Sequence, residues 1–377
     1  MSRVDTRAGH LRSQNSQPQR RQNRFLRNAT DPAPTSTMSF FRGLIKDIKA
    51  NLGRDDDDDT SSHGTVSSFV LFSANSDAAI LDRAIKAKGV EEGYIMDLLV
   101  KRNNEQRQQI KAVYQQTFGN ALDKDLESAL TDHLKDLALA LLRTPAQYDA
   151  QQLRQAIEGF GTHEDILIEI LASRSNEQIR EIKKAYKEEF DRDLEDDIKS
   201  DTRGNFEDCL LSLCKGARSE DTEVDKAMAD IDARILHEAG EKKTGTDDSV
   251  FIDIFTTRSD AQLRKMFERY AKHSDVDISE ALDSEMSGHF QECMIAIVKC
   301  AMSKPAFFAE KLFQAMEGRG TRTETLVRVL VSRSELDLKK VVAEYKKVYG
   351  KPLQQDILAE SGGALETVLL TLCGSDD

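Results

Sequence analysis

A short stretch, Gly159-Phe160-Gly161-Thr162, comes back as Gly318-Arg319-Gly320-Thr321. A looser form is Gly240-Glu241-Lys242-Lys243-Thr244-Gly245-Thr246, and a decayed one is Lys88-Gly89-Val90. A little over one helix later, each is followed by a second signature: Lys101-Arg102-Asn103-Asn104, Ser173-Arg174-Ser175-Asn176, Thr257-Arg258-Ser259-Asp260 and Ser332-Arg333-Ser334-Glu335. The glycines at 89, 161, 245 and 320 lie 72, 84 and 75 residues apart, and the arginines at 102, 174, 258 and 333 step by the same intervals. Two unrelated markers with one period define an internal repeat. The chain is therefore expected to be an array of four units, each burying its apolar face against a neighbour.

Within a unit the apolar spacing is helical. Leu153, Ala156 and Ile157 precede the glycine loop, and Ile166, Leu167, Ile170 and Leu171 follow it. Ile179, Ile182, Ala185 and Tyr186 predict a third helix, Leu194 and Ile198 a fourth, and Phe206, Leu210, Leu211 and Leu213 a fifth. The closing runs 137–142, 210–214, 295–298 and 368–373 are apolar nearly all round, which marks them as central. Composition agrees with an all-helical protein: there are only six prolines and no Trp in 377 residues. The units are read as 73–144, 145–216, 228–302 and 303–377, with a longer polar connector, 216–225, accounting for the step of 84.

No apolar run approaches the roughly 20 residues that cross a bilayer, and no secretory signal opens the chain, so a soluble, cytoplasmic protein is expected. Five cysteines, an odd number set inside apolar helical runs, are expected to be reduced thiols. A net charge of −13 disfavours nucleic acid as a partner and opposes contact with an anionic membrane unless a cation intervenes.

Ahead of the array, residues 1–37 are basic and Gln-rich, which fits a disordered tail or, alternatively, a mitochondrial-type presequence. Residues 38–72 hold an amphipathic helix and an acidic linker. Phe40, Phe41, Leu44, Ile45, Ile48 and Leu52 recur at helical spacing, with Ser39 and Gly53 as end signals. So short a helix needs a cover for its apolar face: the protein's own core, a partner's groove or a membrane surface. Asp55 to Asp59 lack the spacing of an EF-hand loop and read as a solvated linker.

Glycine at alternating loop positions lets backbone carbonyls turn inward. Carbonyl oxygens suit Ca²⁺, but a carboxylate is needed to complete such a site. Asp201 lies 42 residues beyond Gly159, and Glu360 lies 42 beyond Gly318. Glu285 stands in the same context, an acid before a Ser, Thr or Gly turn that opens the closing helix. An isolated Gly-x-Gly-Thr would be no more than a capping turn; the repetition with matched carboxylates points to Ca²⁺.

Repeated Gly-x-Gly-Thr loops, each with a distant acidic cap, in four units of this length resemble the annexin family from about Ser73 onward. The resemblance implies four repeats of five short helices in a curved disc, with Ca²⁺ loops on the convex face. It implies reversible, Ca²⁺-dependent docking on an anionic phospholipid surface, roles in membrane organisation, aggregation or trafficking, and phospholipase inhibition. Carried over by position, the metal ligands are the carbonyls of Ile157, Gly159 and Gly161 with Asp201, beside Thr162. The third repeat supplies Gly240, Lys243 and Gly245 with Glu285, and the fourth Met316, Gly318 and Gly320 with Glu360. The first repeat departs: Ala87 replaces the first glycine and Ala129 the acid, which leaves Gly89, Val90 and Glu92 as a weaker site. The acid that usually follows the motif is His163 in the second repeat and Arg322 in the fourth, though Asp247 keeps it in the third. Phe160, Arg319 and the Lys242-Lys243 pair are expected at loop tips. The resemblance also offers a small EF-hand dimer as partner for Phe40–Leu52, a helix expected to be stowed at low Ca²⁺ and released on membrane binding.

Two rival readings fit the sequence less well. An enzyme is disfavoured because no Gly-x-Ser-x-Gly, P-loop or His-Glu-x-x-His motif occurs, and histidines such as His133 and His289 read as structural core residues. A helical scaffold that works without Ca²⁺ explains the repeats but not the acidic caps.

Overall fold

The computed structural model describes residues 63–374, apart from Phe160, Thr244 and Arg319. The basic tail, the Phe40–Leu52 stretch and the aspartate run lie outside the described residues, as do the loop-tip positions Phe160 and Arg319.

The described chain is helical throughout. The first repeat holds α1 (Ala74–Lys86), α2 (Glu92–Val100), α3 (Asn104–Phe118), α4 (Leu122–Ala129) and α5 (Asp132–Leu142). The second holds α6 (Pro145–Ile157), α7 (Glu164–Ser173), α8 (Asn176–Phe190), α9 (Leu194–Asp201) and α10 (Gly204–Cys214). In the third, α11 (Lys226–Ala239), α12 (Asp248–Thr257), α13 (Asp260–Tyr270) and α14 (Ile278–Glu285) lead into α15 (Gly288–Met316). The last is not one helix: Ser303 adopts φ −163°, ψ 106°, which breaks the α-helical path two residues before Pro305. A residue preceding a proline by one or two positions is where helices commonly end. The fifth helix of repeat III and the first of repeat IV therefore abut without a loop. Repeat IV continues with α16 (Thr323–Arg333), α17 (Leu338–Tyr349), α18 (Leu353–Glu360) and α19 (Gly363–Cys373).

The arginine marker has a structural cause. Arg102 clamps Asp77 through two nitrogens at 2.6 and 3.0 Å, Arg174 clamps Asp149 at 2.7 and 2.8 Å, and Arg258 clamps Asp232 at 2.7 and 3.0 Å. Each clamp ties the turn after the second helix to the first helix of its repeat. In repeat IV no aspartate takes this place. Arg333 instead lies over the Phe308 ring, 4.5 Å from its centroid, and donates to Asp337 at 2.7 Å. In repeats I to III the residue after the arginine then opens the third helix. Asn103 with Gln106 and Ser175 with Gln178 form capping boxes, and Ser259 caps α13.

The second helix of repeat II is deeply enclosed. Every residue of α7 from Leu167 to Ser173 is buried, including Glu169. Glu169 is held by Arg328 of α16 through two bonds of 2.9 Å, and both side chains are at most 1% exposed. The pair ties repeat II to repeat IV. Burial alone would push the Arg328 pKa down, but the Glu169 charge outweighs it and raises it. Burial likewise opposes ionisation of Glu169, and the guanidinium overcomes it, leaving the carboxyl below its ordinary value.

Repeat IV also closes on the first of the described residues. The Val66 amide donates to the Ser334 carbonyl at 2.9 Å, and the Thr65 hydroxyl reaches the Leu372 carbonyl. All five cysteines are free and buried, with the Cys209 and Cys293 sulfurs 3.4 Å apart. His133 and His289 do not sit in the core, contrary to the expectation from sequence. Both are exposed, because each falls in the polar first turn of its closing helix, ahead of the apolar run. Among the described residues no helix is long and apolar enough to cross a membrane.

Candidate calcium loops

The loop between the first and second helix of each repeat is built on one frame. The His163 amide donates to the Ala156 carbonyl at 2.9 Å, Asp247 to Ala239 at 2.9 Å, Arg322 to Ala315 at 2.8 Å, and Glu91 to Ala84 at 3.1 Å. These bonds match the four loops position by position. They show that the third carries one residue more than the others, because eight positions separate its bonded pair rather than seven.

Two loops need glycine twice. Gly159 has φ 123° and Gly161 φ 92°; Gly318 has φ 101° and Gly320 φ 94°. An added Cβ would meet nothing within 4 Å at any of them, so the requirement is backbone conformation and not space. Gly245 at φ 84° and Gly89 at φ 92° continue the second position. Gly240 differs. Its φ is −101°, it is buried, and a Cβ there would lie 3.3 Å from the Phe251 ring, so this glycine serves close packing. On the shared frame Gly240 takes the place of Ile157 and Met316, whose side chains are buried at the same point. Its carbonyl accepts the Lys243 amide at 2.9 Å, a turn that absorbs the additional residue.

Each acidic residue named from sequence in repeats II to IV reaches its loop through a threonine. The Thr162 hydroxyl donates to Asp201 Oδ2 at 2.6 Å, Thr246 to Glu285 Oε2 at 2.8 Å, and Thr321 to Glu360 Oε2 at 3.3 Å. All three partners are 39 residues apart. Each carboxylate ends the fourth helix, and the fifth then starts with a glycine of positive φ: Gly204 at 65°, Gly288 at 63° and Gly363 at 69°. That kink brings the end of one short helix beside the loop. Repeat I keeps the kink, with Asp132 at φ 50°, but has Val90 in place of the threonine and Ala129 in place of the acid. Neither side chain can make the bond.

The third loop is further anchored from below. Glu241 Oε1 accepts the Tyr270 hydroxyl at 2.6 Å and the Ser274 hydroxyl at 2.7 Å. Burial opposes ionisation of Glu241, but hydrogen bonds from Ser274 and Tyr270, with the His237 ring 3.3 Å away, outweigh it and hold the carboxyl below its ordinary range. Asp247 is also held low, by the Ser249 hydroxyl first and then by Lys243 at 3.0 Å. Asp248 moves the other way, raised by burial and by the Asp247 charge beside it.

Sequence reasoning named Thr162 but missed the same role for Thr246 and Thr321. The signal was present, since all three follow the second glycine of the loop. Among the described residues no group of three or more His, Cys, Asp or Glu side chains could hold a metal, so any ion here would depend on backbone carbonyls around a single carboxylate. The donors fit a hard cation: neutral oxygens turned by positive-φ glycines and one exposed or half-exposed carboxylate per loop.

Four copies of a five-helix unit, three of them carrying such loops, define a calcium-dependent phospholipid-binding fold. The model of the Annexin family matches residues 76–141, 148–213, 231–297 and 307–372, and the chain belongs to that family. Annexin A1 of Homo sapiens is 55% identical over 311 residues, covering 82% of this chain and 90% of that protein. Among solved structures, annexin III superposes with a TM-score of 0.83 at 42% identity, covering 84% of this chain and 98% of that one. A structure described as calcium-bound annexin (Sm)1 superposes with a TM-score of 0.74 at 28% identity, over 84% of this chain and 94% of that one.

Proposed function

We propose that the chain docks reversibly on anionic phospholipid through Ca²⁺ held in the loops of repeats II, III and IV. The ligands would be the carbonyls of Ile157, Gly159 and Gly161 with Asp201; of Gly240, Lys243 and Gly245 with Glu285; and of Met316, Gly318 and Gly320 with Glu360. The observation that carries the reading is the threonine-to-carboxylate bond made three times over the same 39-residue interval. It holds an acid against each loop before any cation arrives. When bound, Ca²⁺ supplies positive charge and open coordination positions that headgroup oxygens can fill. The protein's own part is to present three such loops on one rigid body, so that weak contacts add. A net charge of −13 makes the cation a requirement rather than an aid.

The remaining parts of the reading follow from this docking. The protein would be cytoplasmic and move to membranes as Ca²⁺ rises. It would act by binding and not by catalysis, and by covering anionic lipid it would inhibit phospholipases. Gly89, Val90 and Glu92 would form at most a weak fourth site. Phe40–Leu52 would dock into a groove such as that of a small EF-hand dimer.

The test is co-sedimentation with phosphatidylserine vesicles. Binding is expected with Ca²⁺ and not with excess chelator, and Asp201→Ala, Glu285→Ala and Glu360→Ala together should abolish it with the helical circular dichroism unchanged. Binding in chelator would favour the Ca²⁺-free scaffold, and retained binding by the triple variant would mean the ligands lie elsewhere.

A further inference from the structure

The third helix of repeat IV carries a charge pattern that its counterparts lack. The buried tyrosines Tyr114, Tyr186, Tyr270 and Tyr345 each stand 12 residues after the marker arginine, which fixes the register of the four third helices. At positions 6, 7, 13 and 14 after that arginine, repeat IV has Lys339, Lys340, Lys346 and Lys347. Repeat I has four glutamines there, repeat II offsets its two cations with Glu181 and Glu188, and repeat III breaks the pattern with Ala271.

The four lysines share one face. α17 buries Leu338, Val341 and Tyr345. Residues seven apart on a helix point within about 20° of one another, so Lys339 lies in line with Lys346, and Lys340 with Lys347. All four are exposed, as is Ala343 between them. The face is a strip with a small residue at its centre and a pair of cations at each end, the pairs roughly 10 Å apart along the axis. The helix has a single acid, Glu344, which lies to the side and is 3.3 Å from Lys347.

This strip sits where the described chain begins. The Lys339 amide donates to the His63 carbonyl at 3.0 Å. Gly64 is pressed onto the α16–α17 turn, where an added Cβ would lie 2.7 Å from the backbone of Glu335. The chain upstream of His63 therefore departs from the first turn of α17. Asp59, the last of the Asp55–Asp59 run, stands four residues before His63. At about 3.5 Å per residue that is a reach of about 14 Å, and the run itself extends over about 14 Å. Lys339 and Lys347 are about 12 Å apart along the helix. Length and sign both match: five consecutive carboxylates against four lysines.

We propose that Asp55–Asp59 docks along the lysine face of α17 and latches the N-terminal segment to repeat IV. A single exposed ion pair is weak. Here several act together, and the tether at His63 holds the two strips at an effective concentration on the order of millimolar. The latch also covers a cationic strip that would otherwise attract an anionic surface without Ca²⁺.

Acetylation footprinting of the full chain, in excess chelator and low salt, tests it against a variant carrying Asp→Asn at all five positions of the run. Lys339, Lys340, Lys346 and Lys347 should react several-fold faster in the variant than in the parent. Lys184 on α8, with its side chain 76% exposed, should react equally in both. The difference should vanish at about 1 M salt, where the Debye length is about 3 Å. Zero-length carbodiimide coupling of the parent should join the run to these lysines within one chain. Equal labelling of parent and variant would overturn the latch. So would protection that appears only when phosphatidylserine vesicles are added, which would give the face to a lipid surface. Coupling between two chains, or from the run to lysines outside α17, would place the run elsewhere and overturn the docking.

Discussion

Glu169→Gln should be among the most damaging conservative changes in this molecule. The substitution keeps the volume of the side chain and removes its charge, leaving Arg328 buried at 1% exposure with no counter-charge. Breaking a buried pair in this way costs about 3–5 kcal/mol. With an unfolding entropy of roughly 2.1 cal/mol/K per residue, a body the size of residues 63–374 loses about 1.5 °C per kcal/mol, so a drop of roughly 5–8 °C is expected at neutral pH. The pH dependence has a definite sign. The Glu169 carboxyl is held below its ordinary value, so the stability it contributes is present above the unfolded pKa and is lost as pH falls through the folded one. The gap between parent and variant should therefore narrow at acid pH. Replacing both partners, Glu169→Leu with Arg328→Met, should recover most of the loss at neutral pH, because neither charge is then stranded. Differential scanning calorimetry of the three proteins from neutral to acid pH measures all of this. A single variant that melts within about 2 °C of the parent at neutral pH, or together with the double variant, would refute the claim that a stranded charge governs the cost.

Changing Thr162, Thr246 and Thr321 together to Val should raise the Ca²⁺ needed for vesicle co-sedimentation several-fold without abolishing it, since the carboxylates remain but are no longer held; an unchanged requirement would mean the bonds do not organise the sites. Gly161→Ala should cost about 1–2 kcal/mol in thermal unfolding through its left-handed backbone, whereas Gly240→Ala should act by displacing Phe251, a difference that near-ultraviolet circular dichroism can read. Burial pushes the Cys214, Cys300 and Cys373 thiols up to about 12, so a disulfide reagent at neutral pH should label them only on unfolding, and rapid labelling of the folded chain would contradict their placement.

Much of this architecture was legible because it is periodic. Gly161, Gly245 and Gly320 announce positive-φ turns, and the closing apolar runs announce central helices. The arginine marker was legible as a marker but its purpose was not read, although Asp77 and Asp149 each stand 25 residues before their arginine. What sequence could not show is which equivalent positions meet. Glu169 and Arg328 are 159 residues apart, the sum of two repeat steps, and each stands five residues before its marker arginine; the counterparts in repeats I and III, Asp97 and Asp253, are both acidic. The misplacement of His133 and His289 has a similar source: apolar helical spacing tells which helix is central, but not how many residues its exposed first turn contains. The additional residue in the third loop was visible in sequence, but the turn that absorbs it at the Gly240 carbonyl was not.

The meeting of Thr65 and Val66 with Ser334 and Leu372 has a consequence for connectivity. Repeat IV returns to repeat I, so the order of units along the gene need not be their only workable order. A permuted chain that starts within the polar connector 216–225 and joins the old ends by a short linker across Thr65 and Gly374 should assemble the same body. Both old ends leave that body at one place, beside the α16–α17 turn. A fusion partner joined directly at Thr65 or at Gly374 would emerge from that single doorway, well clear of the loops at the far ends of the helices.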